Sequence, residues 1–170
     1  SFNNLAPLSN YLGKPGNKEK GGLSIDEYKK RQAQHHIAEV KALLDTPNFI
    51  DKSNRIYGYP NFVCDTGGSI CEVVDPQNPN DPVLRTLAEN TLIVWIQGSD
   101  HHTDDLIKRF DQNPKPMCYH PNFLDLKWKE YLKLNKCSFK EVDPDDFVRW
   151  TYSEAMDHRN PIYKSMSSWG

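Results

Sequence analysis

Asn61-Phe62-Val63-Cys64-Asp65-Thr66-Gly67-Gly68-Ser69-Ile70-Cys71-Glu72 governs the fold expected of this chain. A short apolar run, Phe62 to Cys64, ends in an acid and passes at once into Thr66, two glycines and Ser69. That is the pattern of a buried strand whose carboxyl end opens into a polar loop. In open α/β sheets ligands bind outside the carboxyl ends of the strands, so Asp65 there is placed to hold a metal ion, orient a water or accept a proton. Gly67 and Gly68 let backbone amides approach a ligand, and Ser69 adds a hydroxyl. A strand closed by a glycine turn with a capping Asp accounts for the same residues without chemistry.

On the C-terminal side, Val73-Val74 leads into a Pro/Asn/Asp-rich loop over 75–82, where Asp81-Pro82 reads as the N-cap and first residue of a helix from 82 to about 89. A second apolar, β-branched run follows, Thr91 to Ile96, ending at Gln97-Gly98-Ser99-Asp100. Strand, helix and strand at this spacing predict a βαβ unit with parallel strands, both polar loops emerging on one edge of the sheet. The fold class expected is therefore α/β with a parallel sheet.

Residues 1–23 are loop-like, with Pro7, Gly13, Pro15, Gly16, Gly21 and Gly22, yet they carry Leu5, Leu8, Tyr11 and Leu12. Such a start suggests a surface made elsewhere on which those side chains pack. Ser24 with Glu27 three residues on is a capping box, opening a helix that carries Tyr28, Ile37, Val40 and Leu44 and stops before Pro47. His35 and His36 lie on it, but adjacent positions point about 100° apart and do not chelate one ion together. Residues 48–60 read as a short aromatic segment. Further helices are expected at about 101–110, with Leu106, Ile107 and Phe110 inward, at 122–134, and from Asp143-Pro144, with a last turn starting at Asn160-Pro161. Three prolines stiffen 114–121 into an extended passage. The whole reads as a single α/β domain: a loop-like 1–23, a βαβ core over 24–113 and a helical part over 114–170.

With 170 residues the chain is long enough to bury a sizeable core, and a net charge of −2 leaves no overall basic field for nucleic acid. No apolar run is long enough to cross a membrane, and no signal peptide opens the chain. The four cysteines, Cys64, Cys71, Cys118 and Cys137, form no CxxC pair, so reduced thiols and a cytoplasmic location are expected.

Three chemistries compete. His101 and His102 beside Asp100, Asp104 and Asp105, taken with His120, Cys118 and His35, invite a metal or nuclease reading. The spacing matches no standard zinc pattern, and polar residues at a helix start explain the cluster more simply. No G-x-S-x-G elbow supports a nucleophilic serine. That leaves the Asp65 carboxylate with the arginines of the later helices, Arg109, Arg149 and Arg159. An acid for Mg²⁺ and arginines for phosphate are what phosphoryl transfer uses, because its catalysis is positioning and charge neutralisation. Each arginine alone is also readable as a surface ion pair.

Nearly the whole chain resembles a family of bacterial and phage P-loop ATPases, a broad group to which phage 5-hydroxymethyluracil DNA kinases are similar. The segments carrying the resemblance are Leu8 to Gly16, Gly21-Gly22-Leu23, Tyr57-Gly58-Tyr59, Phe62 to Glu72, Pro114 to Tyr119 and Asp143 to Trp150. Its most specific parts are Asp65 to Glu72, Asp143 to Trp150 and His158-Arg159-Asn160-Pro161-Ile162-Tyr163. The resemblance implies a kinase-like three-layer α/β fold with a helical C-terminal part, ATP with Mg²⁺ as cofactors, and Asp65 in the Walker B position. One departure stands out. G-x-x-x-x-G-K-[ST] is absent, and in Gly13-Lys14-Pro15 a proline follows the lysine where a hydroxyl residue should open a helix. In the family that loop would precede residue 1 and a closing strand would follow Gly170, so a fold incomplete at both ends is expected.

The functional expectation is an ATP- and Mg²⁺-dependent ATPase or kinase core. Asp65 is its metal ligand and a catalytic residue, Arg109 and Arg159 its phosphate arginines, and Thr66, Gly67, Gly68 and Ser69 its nucleotide-binding loop. DNA is a conceivable acceptor. The alternatives are a non-catalytic interaction domain working through 114–121 and the aromatic helices, and a metal-dependent nuclease using His101, His102 and His120.

Overall fold

The computed structural model describes residues 11–170, without the Asp100 side chain. The expected packing of Leu5 and Leu8 lies outside the described residues. Six α-helices carry the described chain: α1 (Ile25–Leu44), α2 (Thr46–Tyr57), α3 (Pro82–Asn90), α4 (Asp100–Gln112), α5 (Pro121–Asn135) and α6 (Pro144–Met166). Short 3₁₀ turns lie at Lys18–Lys20, Gly68–Glu72 and Ser167–Trp169.

The expected parallel sheet is not there. Among the described residues there is no β-strand, only an isolated parallel bridge between Pro15 and Leu23. Both presumed strands, at 62–65 and 91–96, lie outside regular structure and make no ladder. Their side chains show why the sequence misleads. Val63 is 89% exposed and Leu92, Val94 and Ile96 are 78%, 68% and 90% exposed, while Ile93 packs on an apolar core and the Trp95 ring stacks on Tyr163. Alternate burial is strand-like, but two short apolar runs without neighbours cannot satisfy a ladder. The α/β, βαβ-core reading is therefore replaced by a helical one.

Helix boundaries follow local chemistry closely. Ser24 Oγ accepts from the Glu27 N–H at 3.3 Å at the start of α1. Asp81 Oδ1 accepts from Val83 and Leu84 N–H at 3.0 and 2.9 Å, with Pro82 at the first position of α3. The segment at 48–60, read as merely aromatic, is mostly helix: Pro47 opens α2, and Gly58 closes it at φ +63°. Pro161 does not start a new helix either. It sits inside α6, which forfeits one backbone bond there and continues because Ile162, Tyr163 and Met166 beyond it pack on a core.

The chain divides into two compact units, Ser1–His35 with Gln97–His158, and His36–Ile96 with Arg159–Gly170. In the first unit, Phe147 of α6 meets the edges of Trp128 and Tyr131 of α5 at ring distances of 5.0 and 5.3 Å. The 114–120 passage is built into this core. The Tyr119 N–H donates to Gln32 Oε1 at 2.8 Å, its hydroxyl meets Thr151 Oγ1 at 2.6 Å, and the Met117 carbonyl accepts from the Tyr28 hydroxyl at 2.6 Å. The loop-like 11–23 is pinned as well. The Gly16 N–H donates to Leu23 O and the Asn17 N–H to Val142 O, each at 2.8 Å, and a Cβ on Gly22 would fall 2.6 Å from the Gly16 backbone. In the second unit, Leu43, Ile70, Cys71, Leu84, Leu87 and Met166 form a separate core.

Candidate functional site

The predicted site loop belongs to the second unit. Asp65 is exposed at the end of the irregular 61–65 segment, Thr66 is half-buried, and Gly67 is open, since a Cβ there would meet nothing within 4 Å. From Gly68 onward the chain tightens into a 3₁₀ turn that buries Ile70, Cys71 and Glu72. A tight turn forms because Ile70 and Cys71 enter the apolar core while Glu72 finds a cation inside it.

That cation is Arg159. Its Nε donates to Glu72 Oε1 at 2.6 Å, with the two side chains 7% and 0% exposed. Burial disfavours the guanidinium charge, but the Glu72 carboxylate and its hydrogen bond outweigh it and hold the Arg159 pKa above the usual arginine value. A Cβ on Gly68 would stand 2.9 Å from both Arg159 Nη1 and Tyr163 Oη. The second glycine of the pair thus lets Arg159 and Tyr163 close over the loop. The Tyr163 hydroxyl points at the Gly68 carbonyl from 3.5 Å. Burial pushes the Cys71 thiol up to about 12 and the Tyr163 phenol well above its ordinary value, so both are neutral near pH 7 and neither is a nucleophile there. Ser69 Oγ donates to Glu39 Oε1 of α1 at 2.5 Å.

Of the residues singled out in the sequence, the structure thus gathers Thr66, Gly67, Gly68, Ser69 and Arg159 around one loop, with Asp65 at its exposed entrance. Arg159 acts there as a buried brace for the loop. Arg109 is exposed on α4, in the first unit. Arg149 bonds the Asp111 carbonyl and Asp146, at 3.1 Å each. The histidines of the nuclease reading serve helix starts: His102 Nδ1 accepts from the Ser99 N–H at 3.1 Å, His101 lies 3.8 Å from Asp105, and His120 Nδ1 accepts from the Asn122 N–H at 3.3 Å.

Sequence reasoning missed Glu72, Tyr163 and Glu39 as parts of this arrangement. Glu72 closes the opening stretch and Tyr163 closes the His158–Tyr163 segment, so both lay inside quoted segments. Their pairing is long-range and leaves no local signal.

No family model, curated protein or solved structure matches the chain. No helix among the described residues is long and apolar enough to cross a membrane.

Proposed function

We propose that this chain supplies the acid side of an ATP- and Mg²⁺-dependent phosphoryl-transfer site, as an ATPase or a kinase. The observation that carries the reading is Asp65: an exposed carboxylate at the mouth of a glycine loop whose far side is braced by the buried Arg159–Glu72 pair. Asp65 with the Thr66 hydroxyl offers the hard oxygen donors Mg²⁺ takes, and Gly67 leaves its backbone open to a phosphate. The ion, when bound, neutralises charge developing on the phosphate oxygens. Asp65 holds it, Thr66 to Ser69 line the nucleotide, and Arg159 positions the loop. The chain itself contains no G-x-x-x-x-G-K-[ST]. DNA is one acceptor consistent with the resemblance, and the cytoplasm is the expected location.

A second reading, a non-catalytic interaction module, is favoured by the exposed apolar row Leu92, Val94 and Ile96, which lies in the same unit as Asp65. The experiment that separates the two measures thermal stability with and without ATP and Mg²⁺, and ATP turnover, on the complete gene product and on its Asp65→Asn variant. Nucleotide-dependent stabilisation that grows as RT ln(1 + [L]/Kd), with turnover lost in the variant while its fold persists, supports the site. No stabilisation and equal turnover in both proteins would sink it and leave the interaction module.

A further inference from the structure

A cleft of about 540 Å³ lies within the first unit, lined by Gly13, Lys14, Lys20, Asn113, Lys115 and Asp145 among others. One wall is the glycine–lysine loop 13–22, whose backbone is fixed from within. The Leu23 N–H donates to Lys14 O and the Gly22 N–H to Asn17 O, each at 2.8 Å, and Gly21 closes the Lys18–Lys20 turn at φ +80°. These amides are spent on protein carbonyls, so what the loop offers a ligand is its lysine side chains. A second wall is Asn113-Pro114-Lys115-Pro116, stiffened by its two prolines and so little changed when a ligand arrives.

Two of the three ammonium groups are held at the start of α6. Lys14 Nζ donates to Asp145 Oδ1 at 2.6 Å and Lys20 Nζ to Asp143 Oδ2 at 3.0 Å. Lys115 is exposed and has no carboxylate partner among the described residues. Three cations beside two carboxylates leave positive charge in excess. An ammonium carries three N–H donors, so each anchored lysine keeps donors beyond its carboxylate bond, and Lys115 adds its own.

We propose that this cleft binds a small phosphomonoester, its phosphate among Lys14, Lys20 and Lys115 and its organic part against the prolines. A phosphomonoester near pH 7 carries more than one negative charge and three strong acceptor oxygens, which a cluster of ammonium donors answers better than it answers a single carboxylate. The volume is larger than a bare phosphate needs and falls in the range of small-molecule sites, about 300–1,000 Å³. A polyanionic strand fits less well, because the chain carries a net charge of −2 and both anchoring carboxylates stand beside the lysines. Asp143 and Asp145 are positioning residues here: they hold two ammonium groups side by side at one helix start. No residue of the Asp65 loop takes part, so the cleft stands whether or not the Mg²⁺ reading of that loop survives.

The test is isothermal titration calorimetry on the full chain with a chelator present, which removes any Mg²⁺-dependent binding at Asp65. The probes are AMP, ribose 5-phosphate, adenosine and inorganic phosphate. AMP should bind saturably at one equivalent, and adenosine should bind at least tenfold more weakly. Ribose 5-phosphate bound as well as AMP would assign a sugar phosphate, and AMP bound in preference to it a nucleotide. Lys115→Met and Lys14→Met should each weaken AMP tenfold or more, while Lys108→Met, on an exposed position of α4, should leave it unchanged. Circular dichroism checks folding, and Lys115→Met carries the test if Lys14→Met fails to fold. No saturable binding, binding of inorganic phosphate alone, adenosine bound as tightly as AMP, or affinity unmoved in both cleft variants would overturn the site. Lys14 and Lys20 would then be ion-pair partners of α6 and nothing more.

Discussion

Replacing Arg159 with methionine keeps the length of the side chain and removes its cation from beside Glu72. In the native protein the ion pair is 2.6 Å long with side-chain exposures of 7% and 0%, so water cannot take over solvation of the Glu72 carboxylate. Breaking such a pair by deleting one member costs about 3–5 kcal/mol, because the remaining charge is left buried without a partner. Against a total stability of about 5–15 kcal/mol for an ordinary domain, that is a large fraction. The double variant Arg159→Met/Glu72→Leu should recover most of the loss, since a buried pair replaced by apolar groups of similar volume is often neutral or better. Urea denaturation followed by far-ultraviolet circular dichroism measures both values. Hydrogen exchange at the 68–72 amides should show protection falling in Arg159→Met and returning in the double variant. A cost under about 1 kcal/mol for Arg159→Met, the range of an exposed pair, would refute the brace and return Arg159 to the pool of phosphate-binding arginines.

Two further outcomes follow from neighbouring geometry. Gly68→Ala should cost about 1–3 kcal/mol by overpacking, because its Cβ meets Arg159 and Tyr163 at 2.9 Å, whereas Gly67→Ala, with nothing in reach, should stay within about 0.5 kcal/mol; thermal melts compare them directly. Asp143 accepts from the Asp145 and Asp146 N–H groups at 3.0 and 3.3 Å at the start of α6 and from Lys20 Nζ at 3.0 Å. The Lys20 hydrogen bond, joined by these backbone bonds against a smaller effect of burial, holds its carboxyl below the ordinary value. A folded pKa below the unfolded one, about 3.9, means its contribution is complete above that pH and drains away as pH falls through the folded value. Asp143→Ala should therefore cost about 1 kcal/mol near pH 7 and flatten the acid limb of stability below about pH 4, read from melts across pH.

What was legible in the sequence was local. Caps at Ser24 and Asp81 and Pro82 at a first helical position act within one or two turns, so the residue types announce them. Illegible were features that depend on partners far along the chain. The run 91–96 has strand composition and strand-like alternation, yet a strand exists only where another backbone pairs with it, and none of the described chain does. Pro161 looked like a boundary because a lone proline usually is one, while packing of the following turn carries the helix through it.

The same division holds at the candidate sites. That Asp65 stands at the end of an apolar segment ahead of a glycine loop, and that Cys64, Cys71, Cys118 and Cys137 remain thiols, could be read from residue order alone. Three-dimensional packing was needed to show that Arg159 turns inward to Glu72 and that Gly68 and not Gly67 is the glycine under pressure. The difference is one of range. Dihedral preference and capping are set by neighbours in sequence, but burial, ion pairing and metal-ligand spacing are set by neighbours in space, which no single stretch of the chain specifies.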